Sequence, residues 1–82
     1  MKTIISPKAQ KQLLRFPGNQ GLKITKKLHE LDHNPFAGKP MTGKLKGKYS
    51  LRAWPYRIIY QIFKNHGFLL VEAIEHRQGV YK

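Results

Sequence analysis

Two arginines, Arg52 and Arg57, flank a Trp54-Pro55 pair in a stretch where polar and apolar residues alternate. If the chain reverses at that pair, Ala53 faces Tyr56, Arg52 faces Arg57, Ser50 faces Ile59 and Lys48 faces Gln61, because strand side chains point to alternate faces. Lys48, Arg52 and Arg57 then share one face. Like charges directly opposite each other weaken a strand pair. An anion held between them removes that penalty, and guanidinium forks match the oxygens of a phosphate. The same charges also suit an edge that resists aggregation, and spacing alone does not choose between the two readings. A second polar cluster, Glu75-His76-Arg77-Gln78-Gly79-Val80-Tyr81, follows the last apolar run. From it Arg77 can reach the same face. His76 offers an imidazole, the side chain that ordinarily titrates nearest neutrality. Tyr81 offers a ring to stack on a base or a hydroxyl to donate a proton.

Other routes to chemistry read weakly. His29-Glu30-Leu31-Asp32-His33 matches H-E-x-x-H as a string. It lacks the third ligand and the larger, clefted scaffold that a zinc protease needs, so no metal site is expected. The absence of Cys removes thiolate ligands and cysteine nucleophiles. No Ser sits in a G-x-S-x-G turn and no Gly-rich phosphate loop is present. No cofactor is expected.

Sixteen Lys and Arg against four Asp and Glu give the 82 residues a formal charge of +12 and a pI near 10.3. So much like charge on one small body repels itself, and an anionic partner offsets the cost. Nucleic acid comes first, because cations that neutralise phosphates release condensed counterions. An acidic protein comes second. Anionic membrane trails, because the basic residues are spread along the chain and not gathered on one amphipathic helix.

The length suits a single domain, residues 1–82, with a small core. No apolar run nears the roughly 18 residues of a membrane span. The opening MKTIISPKAQKQ breaks a short apolar piece with Pro and Lys, unlike a secretory signal. With no Cys to bridge, the expected compartment is the cytoplasm.

The elements that must position the basic residues follow from periodicity. Residues 3–5 are a short β-like run. Ser6-Pro7 reads as an N-cap and first helical residue, and Ala9, Leu13 and Phe16 form the stripe of a short helix closed by Pro17-Gly18. A second helix runs from about Gln20 to His33 with Ile24, Leu28 and Leu31 as its stripe, stopped by Asn34-Pro35. Residues 36–47, with three Gly and one Pro, read as loop with at most a short edge strand. Strands follow over 48–53, 56–63 and 68–74, the last two joined by the turn signal Asn65-His66-Gly67. An antiparallel meander with an αα-hairpin over one face is an α+β layout.

Three stretches now carry a resemblance. Lys46-Gly47-Lys48-Tyr49-Ser50-Leu51-Arg52, then Tyr56-Arg57-Ile58-Ile59-Tyr60-Gln61-Ile62, then Ile74-Glu75-His76-Arg77 with Val80-Tyr81 resemble the RelE/ParE superfamily of toxins from type II toxin–antitoxin pairs. The resemblance implies an N-terminal αα-hairpin packed on a curved antiparallel β-sheet. It also implies one of two activities: the RelE branch cleaves mRNA in the ribosomal A site, whereas the ParE branch poisons DNA gyrase. The basic residues grouped on the sheet and the terminal Tyr favour the RelE branch. In that branch Arg57 would stabilise the phosphate under attack, Arg77 would help the leaving oxygen, and Tyr81 would stack on or orient the base. Lys48 and Arg52 would complete the cationic surface, with Lys44 and Lys46 as further RNA contacts. The reaction would be attack by a ribose 2′-OH on its own phosphodiester, driven by charge stabilisation and needing no metal. The implied partner is an acidic antitoxin segment on the basic face, in keeping with the charge of +12. RelE has a second Lys where this chain has Ser50, so the general base is open between Lys48 and His76. A ParE-like gyrase inhibitor and a non-catalytic basic RNA-binding protein are the alternatives.

Overall fold

The computed structural model describes residues 1–76. Helix α1 (Pro7–Arg15) starts as its sequence dictates: Pro7 occupies the first turn and the Ser6 hydroxyl accepts the Ala9 N–H at 3.1 Å. Helix α2 (Gly18–His33) begins directly after Pro17, two residues before the expected start, and ends at Asn34. Both lie on one face of a five-stranded sheet. Its strands are β1 (Lys2–Ile5), β2 (Lys39–Pro40), β3 (Tyr49–Ala53), β4 (Tyr56–Phe63) and β5 (Phe68–His76), in the order β1-β5-β4-β3-β2. Among the described residues no helix is long and apolar enough to cross a membrane.

Strands β3, β4 and β5 form the expected antiparallel meander. The sheet as a whole is mixed, which corrects the expectation of a purely antiparallel one. β1 runs parallel to β5, from Lys2 opposite Phe68 to Ile5 opposite Val71. A parallel pair needs a long crossover, and here the helices and the whole meander intervene. The short β2 closes the other edge against β3.

The inner face is apolar. Leu51, Ala53, Ile58, Tyr60, Leu69, Val71 and Ile74 pack with Ala9, Ile24, Leu28 and Leu31 in one buried cluster. Tyr60 carries a polar atom into it without leaving it unpaired: its hydroxyl donates to the Pro35 carbonyl at 2.7 Å and accepts the Gly38 N–H at 3.0 Å. Burial raises the Tyr60 pKa above the ordinary 10.0, against the opposing pull of the Gly38 bond. These bonds draw the loop after α2 down onto the sheet. The approach is so close that a Cβ on Gly38 would lie 2.7 Å from the Tyr60 hydroxyl and 2.9 Å from the Ser50 carbonyl.

A bulge decides which residues of β5 face outward. Ile59 pairs with Ala73 but Tyr60 pairs with Val71, so Glu72 is the extra residue. Val71 and Ile74, three apart in sequence, therefore both reach the core. A bulge frees backbone groups, and α1 meets them. The Ser6 hydroxyl donates to the Glu72 carbonyl at 3.0 Å, and the Gln12 side-chain carbonyl accepts the Ile74 N–H at 2.7 Å. Beyond the slip, Glu75 stands directly opposite Arg57.

Candidate functional site

The β3–β4 pairing is the one the sequence predicts. Ala53 faces Tyr56, Arg52 faces Arg57 and Ser50 faces Ile59, with Trp54 and a cis Pro55 between the strands. Because Leu51, Ala53 and Ile58 turn to the helices, Ser50, Arg52 and Arg57 turn to the face the helices leave open. A depression of about 350 Å³ opens there, lined by Ala37, Lys39, Ser50, Leu51, Arg52 and Arg57. Arg52 is exposed and Arg57 half-buried. Lys39 enters from β2, opposite Ser50. Sequence reasoning missed it; the available signal was Lys39-Pro40, a Pro-ended pair of the sort that tolerates only an edge strand.

Carboxylates accompany these cations. Lys48 Nζ lies 2.6 Å from Glu72 Oε1, and Arg57 Nε lies 3.9 Å from Glu75 Oε1. Two of the chain's four acidic residues thus sit on its most basic sheet face. The Lys48 ammonium is held by Glu72, not left bare against the two arginines. Arg57 is less well served: its Nε is buried with no hydrogen-bond partner among the described residues, since 3.9 Å is too long for one. A half-buried guanidinium opposed by a second guanidinium has the charge and the forked geometry to take an anion through its terminal nitrogens.

The other sequence-predicted residues scatter. His76 pairs in register with Tyr56 and sets its ring edge-on against it, centroids 5.1 Å apart. Tyr56 in turn packs on Phe16. His76 therefore belongs to the helix side of the sheet, away from Arg52 and Arg57, because the bulge reverses the alternation beyond Glu72. Lys44 and Lys46 are exposed around the turn Gly43–Leu45, and neither lines the depression. Arg77 and Tyr81 lie outside the described residues. His29 and His33 are exposed on α2, and no group of three metal-ligating side chains gathers among the described residues.

Comparison with known proteins agrees with this architecture. The family model for the ParE toxin of type II toxin–antitoxin systems matches residues 3–81. Toxin RelG of Mycobacterium tuberculosis is 32% identical over 54 residues, spanning 65% of this chain and 62% of RelG, so the chain matches under two thirds of that relative's length. A chain of the M. tuberculosis RelBE2 toxin–antitoxin complex superposes with a TM-score of 0.85 at 24% identity, covering 93% of this chain and 96% of that one. One from the intact E. coli RelBE complex gives 0.75 at 19% identity, covering 92% and 94%. At such identities the two structures speak for the fold, and the fold is the same: two helices on a five-stranded mixed sheet. With the family match running over nearly its whole length, this chain belongs to the RelE/ParE superfamily of type II toxin–antitoxin toxins.

Proposed function

We propose that this toxin is a ribosome-dependent mRNA endonuclease of the RelE kind. The observation that carries the reading is the Arg52–Arg57 pair on the open face of the sheet, beside a depression that Lys39 also lines. In this reading a phosphodiester of mRNA in the ribosomal A site lies between the two guanidinium groups. The neighbouring ribose 2′-OH attacks the phosphorus, the bond to the 5′-oxygen breaks, and a 2′,3′-cyclic phosphate and a 5′-hydroxyl result. Negative charge grows on the phosphoryl oxygens during attack, and Arg57, half-buried on the open face, meets it through the terminal nitrogens of its guanidinium. Arg52, Lys39 and Lys48 add field on the same face. By resemblance Arg77 assists the leaving oxygen and Tyr81 stacks on a base. The partner that silences the toxin is an acidic antitoxin, a pairing that the charge of +12 favours.

The family match names ParE, and this favours a second reading, inhibition of DNA gyrase. Induced expression separates the two. The nuclease reading expects growth arrest relieved by co-expressing the neighbouring gene, with new mRNA ends inside translated codons. Arg57→Ala should keep the fold and lower cleavage by about 10²–10³-fold, the loss typical of removing one charge-stabilising donor. DNA damage with intact messages would establish the gyrase reading instead.

A further inference from the structure

A 2′-OH is a poor nucleophile until something takes its proton, and the residues first considered for that task are badly placed. Ser50 has no basic group. Lys48 is held by Glu72 at 2.6 Å, and His76 packs against Tyr56 on the other side of the sheet. Two carboxylates remain on the open face. Glu72 is committed to Lys48, with Oε1 close enough for a strong charge-assisted hydrogen bond. Glu75 is not so committed: its Oε1 stands 3.9 Å from Arg57 Nε, attracted but not hydrogen-bonded.

Register adds a direction. Arg52 on β3, Arg57 on β4 and Glu75 on β5 are successive cross-strand partners. They form one row across the sheet, with strands about 4.8 Å apart. A phosphate gripped between the first two lies about one and a half strand spacings, roughly 7 Å, from the third. A 2′-oxygen about 3–3.5 Å from phosphorus in a reactive pose, hydrogen-bonded to Glu75, spans that distance when the 5′-side ribose lies over β5.

We infer that Glu75 is the general base of the cleavage reaction and that the message crosses the strands with its attacking ribose over β5. This inference rests on the nuclease reading above. Glu75 takes the proton of the 2′-OH as the 2′-oxygen bonds to phosphorus. The 5′-oxygen leaves with its bonding pair and draws a proton from solvent, and Glu75 returns the proton it took to solvent. The groups facing Glu75 are few among the described residues. Arg57 stands opposite on β4 with Arg52 beyond it on β3, and Glu72 with Lys48 shares the face. β1 ends at Ile5, opposite Val71, and α1 meets this part of β5 through the neutral Gln12 at Ile74.

Single-turnover cleavage of a defined message on programmed ribosomes tests this, using the purified full chain and its Glu75→Gln, Glu75→Asp and Glu72→Gln variants. Glu75→Gln should slow cleavage by about 10²–10⁴-fold, the usual contribution of general base catalysis. The toxin concentration giving half-saturation should stay within threefold of wild type. The wild-type rate should rise with pH along an acidic limb that Glu75→Gln lacks, and Glu75→Asp should recover part of the rate. Cleavage by Glu75→Gln within threefold of wild type overturns the inference. Faster cleavage also overturns it and marks Glu75 as a competitor for Arg57. A larger loss in Glu72→Gln than in Glu75→Gln assigns the base to Glu72 and overturns it too. A wild-type chain that binds programmed ribosomes and leaves the message whole overturns the nuclease reading itself, and this inference with it.

Discussion

The two faces of one sheet obey different rules. On the inner face Leu51, Ala53, Ile58, Tyr60, Leu69, Val71 and Ile74 pack against the helices, and no charged side chain is buried among the described residues. On the outer face the same strands set Arg52 against Arg57, a pairing that sheet energetics disfavours. Adjacent residues of one strand, such as Arg57 and Ile58, thus answer to opposite demands. Burial alone accounts for the inner set. The outer set is mixed: Ile59 and Ala73 are buried there, Glu72 and Glu75 stand beside Lys48 and Arg57, and only the Arg52–Arg57 pair lacks an account in terms of stability.

The inner face is expected to carry most of the stability. Ile58 is fully buried in the core cluster. Ile58→Ala removes its packing and leaves a cavity, at an expected cost of about 2–5 kcal/mol. Thermal denaturation should register a drop in Tm of about 4–8 °C for each kcal/mol in a domain of this size. A Tm unchanged by this truncation would show that the sheet's two sides are not energetically distinct.

A smaller loss should follow from disturbing the bulge that sorts β5 between the faces. Gln12→Leu keeps the volume but leaves the Ile74 N–H without its 2.7 Å partner. An unsatisfied buried donor costs about 1–3 kcal/mol, readable as a lower denaturant midpoint. If the bulge holds Glu75 opposite Arg57 as the register implies, this variant should also lose cleavage beyond what its lost stability explains.

Alkaline pH probes the inner face through Tyr60. Burial raises its pKa, so the neutral phenol is the form the fold prefers. That contribution is intact below the unfolded value near 10 and is lost as pH climbs through the higher folded value. Stability measured in denaturant should therefore fall above pH 10, and Tyr60→Phe should flatten the part of the fall that Tyr60 causes. An identical alkaline slope in both proteins would mean that the hydroxyl is not held neutral by the core.

How much of this was legible beforehand depends on the range of the interaction. Both helices were, because Ser6-Pro7 and Asn34 are local signals and the stripes Ala9-Leu13-Phe16 and Ile24-Leu28-Leu31 repeat with helical period. The Arg52–Arg57 register was, because a turn at Trp54-Pro55 fixes the pairing of every residue beside it. The partner of β1 was not: a three-residue β-like run over residues 3–5 says nothing about a strand some 65 positions away. Neither were Glu72 and Glu75 as members of the face, since reading β5 as ending at Ile74 left Glu75 in a tail. One trace of the bulge was present. Leu69 and Val71 keep the two-residue period, and then the next core residue is Ile74, so the alternation slips by one at Glu72-Ala73.

The smallest change in stability is expected on the outer face itself. Arg52→Glu replaces an exposed cation with an anion directly opposite Arg57. If the outer face were built for stability, any change there should be costly or neutral. The cross-strand rule says otherwise: opposite charges stabilise a pair and like charges destabilise it, each by about 0.2–1 kcal/mol. The variant should therefore match or slightly exceed wild type in thermal denaturation, and the gain should shrink as salt screens it. It should at the same time abolish the toxicity attributed to the phosphate clamp, because a carboxylate then occupies the place of the anion. A protein made steadier by the change that disarms it is one whose outer face has been kept less stable than its sequence allows, and the opposing arginines are the reason.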